Sequence, residues 1–509
     1  MSRMKRKVID IFSIPQEVAR VAKILEENGC EAYLVGGCVR DLFLGKKPKD
    51  WDITTDAAPE RIQEIFKNSF YENEYGTVGV VTDPPAHGTD DETLRVIEIT
   101  PYRREGAYSD KRRPDFVAFG GKLEDDLKRR DFTINAIALR LGKETGAGRY
   151  EAEIVDNYEG QADLKRRVVR TVGNPDERFA EDALRLMRAV RIAVELDFEI
   201  DAETRQAIKK HAPELRHIAA ERTRDEFVRI LMSENPKKGL EISHELGILP
   251  FVLPELLEGK GVAQNQAHAF DVFEHTLRTL AHAAKKGFSL PVRLAALFHD
   301  IGKPATRRWS PEKNDWTFYG HDVVGARIAA KALARLKFPT ETAEEVTRLV
   351  RWHMFFSDTE KITLSAVRRI VSRVGRERIW ELMNLRAADR IGTGRPKESP
   401  YRLRKYHSMI DEVLHDPLSV SMLAIKGGRV MEVAGIAPGR KIGWILHALL
   451  EEVLDDPTRN NAEYLEKRAR ELAALPEKEL QTLGEKGREI KTKEEEKKVQ
   501  EIRKKHWVT

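Results

Sequence analysis

Two glycines, an arginine and two aspartates fall within one short segment, YLVGGCVRDLFLGKKPKDWDITT. Gly36 and Gly37 stand between a strand-like run and a helical run, so they permit a tight turn whose backbone N–H groups face an anion. Arg40 adds a permanent positive charge beside that turn. Asp50 and Asp52, two apart on a predicted strand, project from one face and can share divalent cations. Together these residues predict phosphoryl chemistry, in which the cations activate a hydroxyl and neutralise a leaving pyrophosphate.

Each short pattern is ambiguous alone, because Gly-Gly also marks an ordinary turn and Asp-x-Asp an ordinary strand end. Their occurrence in one segment favours the catalytic interpretation. Around them, strand-like and helical patterns mix from residue 14 to about 145, which predicts an α/β region. Beyond about residue 150 apolar residues recur at helical spacing, so helices are expected for the rest.

The chain has 509 residues, more than one hydrophobic core usually serves, so several modules are expected. Its content of 41% hydrophobic and 34% charged residues argues against a chain that is disordered throughout. Because the net charge is only +5, a basic surface is expected only as a local patch. Two cysteines exclude a disulfide framework, and the longest apolar runs are half a membrane span. The sequence therefore predicts a cytoplasmic protein with no membrane partner.

Longer motifs carry a family resemblance. LVGGCVRD, KDWDITT, LKRRDFTINAIAL and EDALRLMRAVRIAVELDFEI resemble the class II tRNA nucleotidyltransferases, which include CCA-adding enzymes and bacterial poly(A) polymerases. The resemblance is strong from residue 30 to about 230 and looser to about 470. It implies an α+β fold, with a polymerase-beta-like head followed by an elongated, all-helical neck, body, HD and tail region. It also implies Mg²⁺ at Asp50 and Asp52, with ATP, CTP and the tRNA acceptor arm as partners.

The resemblance also assigns residues to the incoming nucleotide. Gly37 and Arg40 belong to that site, and Arg130 and Asp131, expected after a strand and turn, contact phosphates and ribose. Asp131 and Asn135 offer partners for a 2′-hydroxyl, which favours a ribonucleotide.

Asp182 and Arg185 lie three apart on a predicted helix and are expected to share a face. A carboxylate and a guanidinium together match the amino donor and ring acceptor of cytosine and adenine, and mismatch uracil and guanine. Base choice would then need no nucleic-acid template. Arg188 and Arg191 continue this stripe as nucleotide or helix-bracing contacts, although a surface ladder of ion pairs is an alternative for all four.

Two further groups of charged residues have less specific roles. Glu221, Arg222 and Glu226 match the family's next motif and are expected to brace helices through buried ion pairs. Glu98 falls where polymerase-beta folds often supply a third carboxylate, although a solvent-facing strand residue is an equal alternative.

The stretch Thr100–Phe119 resembles the flexible loop of enzymes that add adenosine, and enzymes that add only CC characteristically lack it. An A-adding enzyme or a poly(A) polymerase remains the alternative to CCA addition. No function is assigned to the polar insert at 82–93 or to the charged C-terminal extension.

Six more residues have the chemistry of metal ligands. One His on a helix is more often structural, but the order of this set resembles the HD superfamily of phosphohydrolases. The resemblance implies one divalent metal, of open identity, at His275, His299, Asp300 and Asp389. His321 and His353 would complete a second site or contact phosphate. Nearby Phe270, Trp309, Trp316, Phe318 and Trp352 are expected to form a packed rim, with base stacking as the alternative.

The last helical part, at 433–469, resembles the tRNA-anchoring tail of the family. Pro438, Gly439 and Gly443 are expected to make a turn and a close helix approach, and Arg440 and Lys441 to meet phosphates.

The predicted reaction is transfer of CMP, CMP and AMP to the 3′ end of immature tRNA with release of pyrophosphate, with a possible HD hydrolase activity in addition. Two hypotheses come from other functional classes. One is an HD phosphohydrolase whose head is inactive, and the other is an RNA-binding scaffold. The predicted domains are the head at 14–148, the neck and body at 149–260, the HD domain at 261–395, the tail at 396–475 and the charged extension at 476–509.

Overall fold

The computed structural model describes residues 8–71, 76–82, 91–105, 117–265, 269–355, 362–416 and 419–485. The chain divides into two compact units, Met1–Pro254 and Glu255–Thr509. The finer domain limits given above remain predictions.

The first unit is built on strands. In chain order they are β1 Val8–Ser13, β2 Tyr33–Val35, β3 Asp52–Thr55, β4 Ser69–Tyr71, β5 Val78–Val81, β6 Val96–Pro101, β7 Arg103–Glu105, β8 Val117–Phe119, β9 Ala138–Gly146, β10 Arg149–Val155, β11 Val168–Val169 and β12 Glu199–Ile200. Eight of them form one mixed sheet in the order β1-β10-β9-β2-β3-β6-β5-β4. β7 pairs with β8 and β11 with β12 in two small sheets.

Twelve α-helices begin among the described residues of this unit. They are α1 Gln16–Glu27, α2 Gly37–Phe43, α3 Pro59–Ile65, α4 Leu123–Lys128, α5 Gly160–Arg166, α6 Pro175–Glu181, α7 Leu184–Leu196, α8 Ala202–His211, α9 Ala220–Met232, α10 Pro236–Glu245, α11 Leu249–Val252 and α12 Pro254–Leu257. In α1 the buried residues Val18, Val21, Ala22 and Leu25 recur at three and four spacing, which places one apolar stripe in the core.

Side chains alternate between the two faces of β6, and this alternation decides which of them point away from the buried core. Ile97 and Ile99 are fully buried on one face of the strand, and Glu98 between them is only partly buried. Because side chains alternate along a strand, Glu98 projects from the face opposite the two isoleucines.

The head sheet includes residues on both sides of the predicted limits at 14 and 148. β1 precedes the predicted start at residue 14, and it pairs with β10 from Val8↔Ile154 to Ser13↔Arg149. Residues 142–149, at the predicted end of the head, lie in the β9–β10 hairpin, whose turn falls between Gly146 and Arg149. The head sheet therefore extends to Val155, because the glycines serve a hairpin rather than a linker.

In the second unit the described residues form helices and one hairpin. Its elements are β13 Arg308–Ser310, β14 Asp315–Thr317, α13 Val272–Lys285, α14 Leu290–Phe298, α15 Lys303–Thr306, α16 His321–Arg335, α17 Thr340–Trp352, α18 Leu364–Val374, α19 Ile379–Gly392, α20 Tyr401–Val413, α21 Gly427–Ala434, α22 Arg440–Asp455, α23 Ala462–Ala473 and α24 Glu477–Glu485. The predicted α+β class, a mixed head sheet followed by helices, is confirmed. Among the described helices, none combines the length and apolarity that crossing a bilayer requires.

Candidate functional site

The turn between β2 and α2 brings the first predicted residues together. Gly36 has φ +86°, and a Cβ there would lie 3.1 Å from Asp52 Oδ2 and 3.2 Å from Arg130 Nη1. A side chain at this position would be strained and would crowd both charged groups. Gly36 thus lets the backbone approach a carboxylate and a guanidinium at once.

The next glycine faces the other predicted pair. A Cβ on Gly37 would lie 3.6 Å from Arg40 Nη2 and 3.6 Å from Asp50 Oδ1. Asp50 itself precedes β3, which begins at Asp52, so only Asp52 lies on the strand as predicted. The two carboxylates nevertheless converge on the same turn.

A third carboxylate stands beside Asp52. β3 and β6 are parallel, and their register pairs Asp52 with Glu98. Paired residues on adjacent strands project their side chains from the same face of the sheet. Asp50, Asp52 and Glu98 supply the hard oxygen donors that Mg²⁺ prefers, so the residues present fit such an ion.

The RRD motif follows helix α4 rather than the predicted strand. Arg129 Nε and Arg130 Nη2 each donate to the buried carboxylate of Asp126, both at 3.0 Å. Burial acts to raise the pKa of Asp126, but the two arginines outweigh it and hold that pKa below its usual value. Asp126 is a functional candidate that the sequence interpretation missed, although its spacing of three and four residues from the arginines on a helical turn was a usable signal.

Asp131 lies at the centre of a chain of hydrogen bonds. Arg188 donates to Asp131 Oδ2 from Nε at 2.8 Å and from Nη2 at 2.6 Å. Asn135 Nδ2 donates to Asp131 Oδ1 at 3.2 Å, and Arg40 Nη1 donates to Asn135 Oδ1 at 3.0 Å. Burial opposes ionisation of Asp131, but Arg188 and Asn135 hold its pKa below the usual range.

The predicted helical pairing of Asp182 with Arg185 is wrong in its local structure. Asp182 has extended backbone between α6 and α7, and its Oδ1 accepts from the Leu184 N–H at 3.0 Å. Arg222 Nη2 donates to Asp182 Oδ2 at 2.8 Å. Arg185 is on α7, and its Nη1 donates to Glu181 Oε2 at 2.6 Å. Asp182 prefers to cap the helix because its side chain satisfies a free backbone N–H there.

Buried ion pairs join α7 to α9. Arg191 Nε lies 2.7 Å from Glu226 Oε2, and Arg188 Nη1 lies 3.8 Å from Glu226 Oε1. Burial holds the pKa of Arg191 below its usual value. Glu226 is thus a brace, as predicted, whereas Glu221 is exposed and forms no part of a buried pair.

Four of the metal-ligand candidates meet in the second unit. His275 Nε2 lies 3.0 Å from His299 Nε2, 3.1 Å from Asp300 Oδ2 and 3.3 Å from Asp389 Oδ1. All four residues are buried. Helix α13 carries His275, α19 carries Asp389, and the end of α14 supplies the His299-Asp300 pair.

Asp300 joins this group to the other two histidines. Its Oδ1 lies 3.4 Å from His321 Nε2 and 3.8 Å from His353 Nε2. His321 Nδ1 contacts the Phe318 carbonyl at 2.7 Å and His353 Nδ1 the Val350 carbonyl at 2.6 Å. A protonated Nδ1 bonded to a carbonyl leaves Nε2 as the ligand atom.

The charges in this cluster are strongly coupled. Burial acts to lower the pKa of His299, but Asp300 and Asp389 raise it to about 10. Lys303 Nζ lies 2.6 Å from Asp300 Oδ2 and donates to Gln264 Oε1 at 2.6 Å. In two overlapping groups that share Asp300, the candidate ligand atoms lie within 4.8 Å of one another. Imidazole and carboxylate donors so placed fit a divalent transition metal or Mg²⁺.

The aromatic rim is only partly packed. Phe318 is buried, as a rim would require, but Trp309 is 49% exposed. The packed role predicted for Trp309 is therefore wrong.

The predicted tail residues border a cavity of about 540 Å³ lined by Arg440, Lys441, Trp444 and Gln481, among others. Gly443 does not make the predicted close approach, since a Cβ there would have no described atom within 4 Å. Gly427 on α21 fills that role, with a Cβ position 3.3 Å from Ile442 on α22.

Parts of three other predictions lie outside the described residues. These are 83–90 of the polar insert, 106–116 of the loop at Thr100–Phe119, and 486–509 of the charged extension.

Three family models match the chain. The Poly A polymerase head domain matches residues 32–170, the probable RNA and SrmB-binding site of polymerase A matches 197–259, and the HD domain matches 272–394. The matches follow the order predicted from the motifs.

Known proteins resemble the chain over most of its length. It is 35% identical over 432 residues to the CC-adding tRNA nucleotidyltransferase of Thermus thermophilus, covering 83% of this chain and 89% of that protein. It is 37% identical over 348 residues to the A-adding tRNA nucleotidyltransferase of Deinococcus radiodurans, covering 66% and 76%. The crystal structure of the Bacillus stearothermophilus CCA-adding enzyme with CTP superimposes with a TM-score of 0.65 at 29% identity, covering 90% of this chain and 96% of that one. The chain is a member of the tRNA nucleotidyltransferase family.

Proposed function

We propose that this enzyme adds CMP, CMP and AMP in turn to the 3′ end of immature tRNA, taking the nucleotides from CTP and ATP. The observation that carries this proposal is the convergence of Asp50, Asp52 and Arg130 on the Gly36-Gly37 turn. The cytoplasmic location predicted from the sequence remains part of the proposal.

In the proposed reaction the RNA 3′-hydroxyl attacks the α-phosphorus of the bound nucleotide. A new P–O bond forms while the bond to pyrophosphate breaks. Asp50 and Asp52 would hold Mg²⁺, with Glu98 as the third carboxylate beside them. Bound there, the ion lowers the pKa of the hydroxyl and neutralises charge on the leaving group.

The arginines around the turn would bind the triphosphate. Asp126 fixes one edge of the Arg130 guanidinium through Nε and Nη2, which leaves Nη1 directed at Gly36. A guanidinium that is already positioned in this way loses little conformational entropy when it binds phosphate. The Asp131 carboxylate would accept hydrogen bonds from the ribose hydroxyls, and the Asn135 amide would donate hydrogen bonds to them.

Base choice is assigned to Asp182 and Arg185, which are positioned by Arg222 and Glu181. For both to reach one base, each must exchange part of its present ion pair for the Watson–Crick edge. Uracil and guanine would not replace the ion-pair contacts that are given up, because their hydrogen-bond acceptors and donors do not match Asp182 and Arg185.

The related proteins include enzymes named for adding CC, A and CCA, so the products must be tested separately. The test uses three tRNA substrates, ending before CCA, in C and in CC, each incubated with one labelled nucleotide at a time. CCA addition predicts CMP incorporation on the first two and AMP on the third. An enzyme that extends only the CC-ended substrate would be A-adding, and one that stops after two CMP would be CC-adding.

The buried cluster in the second unit supports a second candidate function. We propose that His275, His299, Asp300 and Asp389 hold a divalent metal, and that His321 and His353 complete a second site or contact phosphate. Water would then attack the phosphorus of a phosphate ester or 2′,3′-cyclic phosphate at an RNA end, breaking one P–O bond to the ribose.

Metal analysis and a phosphatase assay test this activity directly. The double change His299→Ala with Asp300→Ala should remove both bound metal and hydrolysis. CMP and AMP transfer serves as the internal control, because the head has its own carboxylates. Purified protein without metal under any loading condition, or hydrolysis that survives the double change, would contradict the proposal.

A further inference from the structure

The β13–β14 hairpin is connected to the buried cluster at both of its ends. On the N-terminal side, Arg307 follows the short helix that begins with Lys303, whose Nζ lies 2.6 Å from Asp300. On the C-terminal side, the Phe318 carbonyl contacts His321 Nδ1 at 2.7 Å. Trp316 precedes Phe318 by two residues, a distance of about 7 Å along an extended strand.

Two indoles and a guanidinium share one side of this hairpin. Trp309 and Trp316 are directly paired across the strands, with ring centroids 5.2 Å apart and planes at 77°. The Arg307 Cζ atom lies 3.6 Å from the centroid of the Trp316 ring. Trp309 keeps 49% of its surface exposed, which is unusual for the largest apolar side chain.

Two arginines at the start of the hairpin have no ion pair among the described residues. Within the described part of the chain, neither Arg307 nor Arg308 has a carboxylate within salt-bridge distance. The Nε atom of Arg307 is also buried without a hydrogen-bond partner among the described residues. A guanidinium held on an indole and lacking an anion is suited to a phosphate that comes from a ligand.

We propose that the hairpin is a stacking platform for the unpaired 3′ end of a single-stranded RNA. One base stacks on the exposed face of Trp309, an adjoining phosphate meets Arg307 on the same side, and the next phosphate meets Arg308, which projects from the other face of β13. Exposed aromatic rings interleaved with cations are the combination by which proteins bind single strands without reading their sequence. Two unpaired guanidinium groups match an oligonucleotide better than a single nucleotide.

The platform explains how a buried cluster could act on an RNA end. Stacking the terminal bases on the hairpin would direct the terminal phosphate toward Lys303 and His321, the two residues that flank the hairpin. The inference rests on the proposed hydrolase function only for the identity of the phosphate group that is brought to the cluster. The binding of single-stranded RNA to the hairpin does not depend on that function.

Photocrosslinking of the full chain to a single-stranded RNA hexamer tests the platform. The hexamer carries 5-bromouridine near its end and a 3′-phosphate, and trypsin maps the crosslinks. We expect crosslinks in the peptides at 309–313 and 314–327. Trp309→Ala should reduce them about tenfold, as expected for loss of one stacked base. Trp309→Phe should retain most of the signal, because an aromatic face remains.

Tyr401→Ala is the matched control, since Tyr401 is 68% exposed in the same unit but lies outside the hairpin. It should leave the hairpin crosslinks unchanged, and Arg308→Gln should weaken them. Crosslinks found only in residues 1–254, or hairpin crosslinks that Trp309→Ala leaves intact, would overturn the platform.

Hydrolysis and crosslinking, each measured in the parent and in Trp309→Ala, separate the two proposals. If crosslinking depends on Trp309 and no hydrolysis is found in the parent, the platform stands and the hydrolase fails. If hydrolysis is present but neither it nor crosslinking depends on Trp309, the hydrolase stands and the platform fails.

Discussion

Arg188 donates two hydrogen bonds to one oxygen of Asp131, a residue 57 positions earlier in the chain. The bonds join helix α7 to the aspartate of the head's RRD motif. Because Asp131 also accepts from Asn135, this single carboxylate orders both sides of the proposed nucleotide site.

Arg188→Ala should destabilise the protein strongly. It leaves the buried Asp131 carboxylate without its cation, and because the Arg188 side chain is itself partly exposed, the cost is about 1 to 3 kcal/mol. Urea unfolding measures the change, with Arg229→Ala as the control because Arg229 is half exposed and pairs with Glu195. Equal unfolding midpoints for the two variants would contradict the role of the pair.

The effect of Arg188→Ala should also depend on pH. Because the folded-state pKa of Asp131 is depressed, its stabilising contribution is complete above the unfolded value of about 3.9 and is lost as pH falls through the folded value. The stability difference between parent and Arg188→Ala should therefore be largest near neutral pH and shrink in acid. A difference that stays constant from neutral to strongly acidic pH would exclude this linkage.

Asp52→Asn should lower nucleotide addition by about 100-fold or more while tRNA binding stays close to that of the parent. The change keeps the shape of the side chain but removes a charge that metal-assisted transfer needs. Asp56→Asn is the control, since Asp56 is exposed and, among the described residues, its side chain accepts the Glu31 N–H at 2.6 Å. Turnover of Asp52→Asn within a few fold of the parent would rule out the assigned site.

Asp182→Ala or Arg185→Ala should weaken base selection as well as slow addition. Half of the two-point recognition of the base is lost, so exclusion of UTP and GTP should fall by about tenfold. Competition between labelled CTP and each wrong nucleotide measures the ratio. Unchanged exclusion would mean that the base is recognised elsewhere.

Replacing residues 106–113 with a Gly-Ser linker should impair AMP addition far more than CMP addition. The resemblance of this stretch to the loop of A-adding enzymes motivates the prediction, and the replacement spares the flanking strands β7 and β8. Single-turnover rates on tRNA ending before CCA and in CC give the comparison. An equal loss for both nucleotides would refute a switching role.

The sequence alone determined the chemistry of the head site. Gly-Gly before a helix and two nearby aspartates are local patterns, so short-range rules of turn and strand formation were enough to find them, whereas the RRD motif was identified by its resemblance to the family. The same rules misjudged Asp182, because a strongly helical sequence masked the preference of Asp for a capping position.

Only the tertiary structure decided which distant groups meet. Glu98 lies beside Asp52 because β3 and β6 pair in parallel with these two residues in register. The sequences of the two strands do not specify that register. Asp300 came to lie between two pairs of histidines because the helices that carry or immediately precede those histidines, α13, α14, α16 and α17, pack together. Contacts of this kind depend on how elements pack, and packing is set by the whole core rather than by any local pattern.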